Sequence, residues 1–217
     1  MYNNNIEQIC KIFSETIKDT RSELQSISDF SFLMAVVMSA QTTDAQVNKV
    51  TSKLFAKYKT LDDFLNLGEE KLAQEISSIG LYRNKAKNII KLLQILKDKF
   101  GEHVPNSREE LEKLPGVGRK TANVVLNELF GLPTIAVDTH VLRLSRILHL
   151  SESDNPIQVE KDLERIIPEK YKRNISAFLV LHGRYICKAR KPNCSQCQIA
   201  HLCPMFNLEK ENISHND

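Results

Sequence analysis

Four cysteines fall within seventeen residues near the C-terminus: Cys187, Cys194, Cys197 and Cys203, in the pattern C-x6-C-x2-C-x5-C. Thiolates so closely spaced can share one metal centre, and without a secretory signal they favour metal over a disulfide framework. Zinc ribbons usually carry two C-x-x-C pairs, and only one is present; a cubane iron–sulfur cluster also takes four cysteines. Spacing alone leaves zinc and iron–sulfur open. Between the first two cysteines stand Lys188, Arg190 and Lys191. Pinned by a metal, that loop presents three positive charges on a short rigid span; the plainer reading is that they offset the anionic thiolates. The fifth cysteine, Cys10, lies on an apolar helix face and reads as a core residue.

A second chemical signal is Leu114-Pro115-Gly116-Val117-Gly118-Arg119-Lys120-Thr121-Ala122. The residues predict a short helix over about 107–114, a tight turn with two glycines, and a new helix from about Arg119. Bare glycine backbone and a helix N-terminus can face a phosphate oxygen, a contact that grips a nucleic-acid backbone without reading its sequence. A plain turn between packed helices is the competing reading. The pattern recurs: Gly80, Arg83, Ala86, Ile89 and Ile90 repeat the spacing of Gly116, Arg119, Ala122, Val125 and Leu126, with Tyr82 replacing the second glycine. From Ile79 to Lys97 the chain carries Arg83, Lys85, Lys87, Lys91 and Lys97 and no acid. That stripe suits DNA or a solvated helix face equally.

The elements that must position these residues read as helices throughout. Ile6, Ile9, Cys10, Phe13 and Ile17 share one helical face, as do Val47, Val50, Leu54 and Tyr58, and Ile89, Leu92, Leu93 and Leu96. Asn155-Pro156 opens a helix with an apolar face of Val159, Leu163 and Ile166, and Pro168 stops it. The apolar run Phe32–Met38 predicts a fully buried helix, since no partner strand is evident. The seven glycines are expected mostly between helices. The fold class is all-α, with a weak boundary near Gly131-Leu132-Pro133.

The 217 residues carry 30 Lys+Arg against 27 Asp+Glu, with 41% hydrophobic and 26% charged residues. This composition is that of a folded globular chain and excludes disorder, collagen and mucin-like stalks. With a net charge of only +3, any nucleic-acid contact must rest on local charge. The longest apolar run falls short of the roughly 20 residues that span a bilayer. No basic stretch followed by an apolar run opens the chain, so an intracellular protein without membrane contact is expected.

Taken together, these motifs resemble the endonuclease III family of helix-hairpin-helix DNA glycosylases, over about residues 6–204. Leu114-Pro-Gly-Val-Gly-Arg-Lys-Thr-Ala-Asn-Val-Val is similar to that family's hairpin (about 108–127), Val137-Asp138-Thr139-His140 to its catalytic segment, and the cysteine spacing to its [4Fe–4S] loop, 187–203. The resemblance implies two helical domains flanking a DNA cleft. One is a six-helix barrel over 22–132; the other joins 1–21 to 133–217 and carries the cluster. It implies excision of oxidised pyrimidines from duplex DNA followed by cleavage at the abasic site, with Lys120 as the nucleophile and Asp138 assisting. It places Gly116, Val117, Gly118 and Arg119 on the DNA backbone, Gln41 in the hole left by the flipped base, and Leu81, with Ile79 beside it, against the opposite strand. Read without it, Lys120 is a phosphate-contacting lysine and Asp138 an N-cap. His140 reads as a packed histidine near the pocket. The expected state is a monomer, cytoplasmic and nucleoid-associated if bacterial.

Two rivals remain at this level. The adenine-mismatch glycosylase branch shares the fold and cluster, but has a Glu where this chain has Val36, usually lacks a lysine at the position of Lys120, and extends further beyond the cluster. A non-catalytic, metal-stabilised DNA-binding module is the other, and the pair Lys120 and Asp138 speaks against it.

Overall fold

The structure, a computed structural model, describes residues 5–206. Ten α-helices follow one another, and no strand occurs among the described residues. No helix there is long and apolar enough to cross a membrane. The chain divides into two compact units: Ser22–Gly131, and Met1–Arg21 together with Leu132–Asp217.

The first unit holds α2 (Asp29–Ser39), α3 (Asp44–Lys57), α4 (Leu61–Glu75), α5 (Tyr82–Phe100), α6 (Arg108–Leu111) and α7 (Arg119–Phe130). The run Phe32–Met38 is helical and buried throughout, as the sequence predicts. A helix apolar on every side must be covered on every side, and α3, α5 and α7 all pack on α2. Its start is fixed by a capping box: Ser28 Oγ accepts from the Ser31 N–H, and Ser31 Oγ from the Ser28 N–H. Phe64 closes the far side of this core, ringed by Phe30, Phe55 and Tyr58 at centroid distances of 5.7–6.2 Å.

One expectation is corrected here. The helix expected over 107–114 is the shorter α6, with Ser107 as its N-cap. The Leu114 N–H bonds back to Leu111 O, three residues away rather than four, because Pro115 drives the residue before it out of helical geometry. The glycines mostly separate helices, as expected; Gly68 kinks α4 from within at φ +76, and Gly183 lies inside the helix Glu169–Tyr185.

The second unit holds α1 (Ile6–Thr16), α8 (Thr139–Ile147), α9 (Pro156–Ile166), α10 (Glu169–Tyr185) and the cysteine loop. Ile9, Cys10 and Phe13 form the buried face of α1, which packs on α10; α8 packs on α9 and α10. The Phe13 ring lies 6.0 Å from Phe178 and 5.0 Å from His182. Asn155 caps α9 by accepting from the Ile157 and Gln158 N–H groups, Pro156 takes the first position, and the helix ends before Ile167-Pro168.

Candidate functional site

The glycine turn joins α6 to α7, and its two glycines serve different ends. Gly116 has φ +81, and a Cβ there would stand 3.2 Å from Asn88 and from Val37 Cγ1, so the fold itself demands it. Gly118 has φ −98, and no atom of the described residues lies within 4 Å of a Cβ position. Neither strain nor packing within the chain requires glycine there; its absent side chain leaves the N-terminus of α7 open. Among the described residues no side chain caps that helix, and the first N–H groups of a helix have no acceptor inside it. Arg119 is half-buried and Lys120 exposed in this first turn. Val117 departs from expectation. Its side chain lies in the core and its N–H donates to Leu114 O, so it is occupied in holding the turn.

The second turn, Ile79-Gly80-Leu81-Tyr82, enters α5. Ile79, expected beside Leu81 on the DNA side, is 1% exposed and belongs to the core. Leu81 is 60% exposed, with φ +58, at the N-cap of α5. Gln41 is also exposed and left-handed, at φ +55. The two turns adjoin: a Cβ on Gly80 would lie 3.9 Å from Gln41 O. The basic stripe is narrower than the sequence suggests. Lys97 pairs with Asp62 at 2.5 Å, and Lys85 is buried, because it shares the α5 face of Ile89, Leu92 and Leu96. Arg83, Lys87 and Lys91 remain exposed.

Asp138 follows the buried Val137 in extended backbone and caps α8, with Oδ1 accepting from the Val141 N–H at 2.8 Å. Gly183 lets α10 approach α8 closely: a Cβ there would meet His140 Nδ1, Arg143 Nη2 and Leu144 Cδ1, each at 3.2 Å. His140 is thus packed against α10.

The four cysteines line one cavity with Leu144, Leu148, His182 and Ile199, and each is half-buried. Among the described residues no three His, Cys, Asp or Glu side chains are placed to hold one metal ion. Burial pushes the Cys187 and Cys197 thiols up; the Arg143 guanidinium opposes it at Cys187 and the Ile199 N–H at Cys197, while charge on the neighbouring cysteines adds to it. Sequence reasoning missed two neighbours. Arg143 donates to Cys187 O at 2.7 Å and Gly183 O at 3.2 Å, with Nη1 3.9 Å from Cys187 Sγ. His182 Nε2 lies 3.7 Å from Cys197 Sγ; burial, then the Arg143 charge, hold its imidazole at about 4. His182 sits five residues before Cys187, outside any motif; only the α8–α10 packing brings Arg143 there. Lys188, Arg190 and Lys191 are exposed, Lys191 at φ +54. Cys10 is fully buried, and burial, with the Glu7 carboxylate adding, raises its thiol to about 12.

A helical chain with such a hairpin and such a cysteine loop falls in a class of DNA-repair proteins. Residues 34–169 match the HhH-GPD superfamily of base excision DNA repair proteins, and residues 187–203 match the iron–sulfur binding domain of endonuclease III. The chain is 51% identical over 205 residues to endonuclease III of Rickettsia conorii, covering 94% of this chain and 98% of that one. It is 49% identical over 182 residues to endonuclease III of Escherichia coli, covering 84% and 86%. A solved structure of a trapped endonuclease III–DNA covalent intermediate superposes with a TM-score of 0.90 at 46% identity, over 97% of this chain and 99% of that one. The chain belongs to the endonuclease III family. It is a base excision repair DNA glycosylase with AP lyase activity, and it carries an iron–sulfur binding domain.

Proposed function

We propose that this glycosylase removes oxidised pyrimidines from duplex DNA and cuts the strand 3′ to the abasic site, with Lys120 as nucleophile. The observation that carries this is the exposed amine of Lys120 in the first turn of α7, two residues after a glycine that the fold does not require. The target nucleotide leaves the stack, since its C1′ is unreachable inside a duplex. The neutral amine of Lys120 attacks C1′, the glycosidic bond breaks, and the base departs with the electron pair. Asp138 accepts the proton shed by the amine and stabilises positive charge on the sugar. Loss of the ring oxygen from C1′ gives the imine. Its C2′ proton is then removed, and β-elimination expels the 3′ phosphate.

The backbone N–H groups of Gly116 and Gly118, the α7 N-terminus and Arg119 hold the phosphates, while the Val117 N–H stays on Leu114 O. Gln41 fills the vacated position and Leu81 wedges the opposite strand. DNA is the partner, and a monomer suffices. The two units correspond in this reading to the family's six-helix barrel and cluster domains. Val36, buried in α2, offers no carboxylate to the adenine-mismatch chemistry. Borohydride trapping on a duplex with one oxidised pyrimidine tests the proposal: a covalent adduct is expected, and trapping only on an adenine mismatch overturns it.

The iron–sulfur group is proposed as [4Fe–4S], held by Cys187, Cys194, Cys197 and Cys203. Four thiols that line one cavity without converging on a point suit a cubane, with one thiolate on each iron. They suit less well a lone zinc, which needs all four sulfurs within about 2.3 Å. The group cross-links the loop and takes no part in bond breaking. Anaerobically purified protein should be brown with roughly four irons per chain. Cys10→Ser should leave that content unchanged, and zinc without iron would refute the assignment.

Lys188, Arg190 and Lys191 are proposed as phosphate contacts. Replacing any one with Ala should weaken DNA binding whatever the sequence and flatten the dependence of log K on log salt by about 0.9 per lost contact. Three silent replacements would mean that these charges only offset the cluster.

A further inference from the structure

Lys85 has a role that neither the basic stripe nor the hairpin explains. It is 5% exposed, and its Nζ donates to Met38 O at 2.8 Å, Ala40 O at 2.6 Å and Thr42 Oγ1 at 3.1 Å. An ammonium has three protons to donate, and each has an acceptor here. Two acceptors are carbonyls at the C-terminal end of α2, where helical carbonyls lack intrahelical partners and the dipole is negative. The third is the hydroxyl just past Gln41. Through its backbone the same residue reaches the other turn: the Lys85 N–H donates to Leu81 O at 3.0 Å. One residue thus bonds both neighbours of Gln41 and also Leu81 itself. Both of those residues are exposed and hold left-handed backbone without being glycine, a strained state that persists only where the surroundings fix it.

We propose that Lys85 is a positioning residue that locks the Gln41 turn to the start of α5, so that Gln41 and Leu81 keep a fixed spacing and enter the DNA stack together. This rests on the reading of Gln41 and Leu81 given above. A buried ammonium neutralised by carbonyl dipoles is an expensive way to stabilise a helix end, and burial lowers the lysine's pKa accordingly. An apolar chain of the same length would fill the space but leave Met38 O and Ala40 O without this donor. What the ammonium adds is direction: three bonds from one atom fix where the turn sits relative to α5. Each side of the lesion is then met by a preset side chain, and no ordering is left for the moment of binding.

The test compares single-turnover cleavage of an abasic site in duplex and in single-stranded DNA. A single strand has no partner stack, hence no hole to fill and nothing to wedge. Lys85→Met should lower the duplex-to-single-strand ratio of rates by about 10-fold to 100-fold, the scale of a misplacement near 1 Å. A 2-aminopurine opposite the site should lose most of its fluorescence rise on binding, because the opposite base stays stacked. Gln41→Ala and Leu81→Ala should lower the same ratio, and Lys85→Met should add little on top of both, since the three act as one unit. A normal ratio in Lys85→Met, with the other two impaired, overturns this inference and leaves the reading of Gln41 and Leu81 standing. A full additional loss in the combined variant also overturns it. Normal ratios in Gln41→Ala and Leu81→Ala overturn that reading, and the inference with it. If Lys85→Met does not fold, Thr42→Val removes one of the three acceptors and should give a milder fall in the ratio; no fall overturns the inference.

Discussion

Lys120→Gln yields a protein that still binds duplex DNA bearing an abasic site but forms no adduct on borohydride reduction. The amide has no lone pair fit to attack C1′, so neither the imine nor the elimination that depends on it can form. Single-turnover base release should fall at least about 1000-fold, the scale seen when a nucleophile is removed from a site whose other parts remain. Binding survives because the proposed grip on the phosphates comes from the turn at Gly116–Gly118, and the substitution touches neither that backbone nor Gly116, which the fold requires. Stability should move by no more than about 0.5 kcal/mol, since Lys120 is exposed in a first helical turn and glutamine is nearly as good a helix former. A persistent adduct in Lys120→Gln, read as a shifted band on a denaturing gel, would move the nucleophile elsewhere in the chain. Gly118→Ala makes the complementary comparison. Its backbone angles suit alanine and no atom of the described residues would clash, so the variant should fold normally and lose DNA affinity through the methyl group alone.

Much of the fold was legible because local signals agreed. Asn155-Pro156 marks the start of α9 by a cap and a ring that fits only a first turn, and Pro168 marks its end. The run 32–38 could not be classified by periodicity, having no polar face; the lack of a partner strand decided it, and the burial of α2 on all sides explains the composition. The errors share one cause: side-chain direction within a turn or stripe is set by packing that the sequence does not display. Charge groups Lys85 with the exposed lysines, but its spacing to Ile89, Leu92 and Leu96 puts it on the buried face of α5. Ile79 and Val117 stand beside residues offered to solvent, but each points into the core, which is how a tight turn anchors itself. Gly183 shows another limit. A glycine within a helix looks like a break, and only the approach of His140, Arg143 and Leu144 reveals it as a packing contact. The four cysteines were the most legible feature, because their chemistry lies in spacing along the chain, whereas Arg143 and His182, which pack around them, come from helices that meet only in the folded unit.

Asp138→Asn should slow base excision by about 100-fold to 10,000-fold while leaving the fold unchanged, and the structure makes this substitution informative. Asp138 has one job on view: its Oδ1 accepts from the Val141 N–H at 2.8 Å and caps α8. Asparagine is an equally good N-cap and keeps that acceptor, so the thermal midpoint should stay close to wild type. What disappears is the negative charge and the capacity to take a proton. In the proposed chemistry these serve the deprotonation of Lys120 and the cationic sugar, effects of the expected size for a positioned base and a preorganised charge. Asp138→Ala separates the contributions further. It removes charge and cap together, so excision should fall as far as in Asp138→Asn, with an added loss of about 1 kcal/mol in stability from the uncapped helix. That corresponds to a drop of about 2–4 °C in a chain of this size. Paired melting curves and single-turnover excision rates on the three proteins make the comparison. Should Asp138→Asn excise at the wild-type rate while Asp138→Ala is merely less stable, Asp138 is a cap alone, and the charge that steadies the sugar must come from another carboxylate.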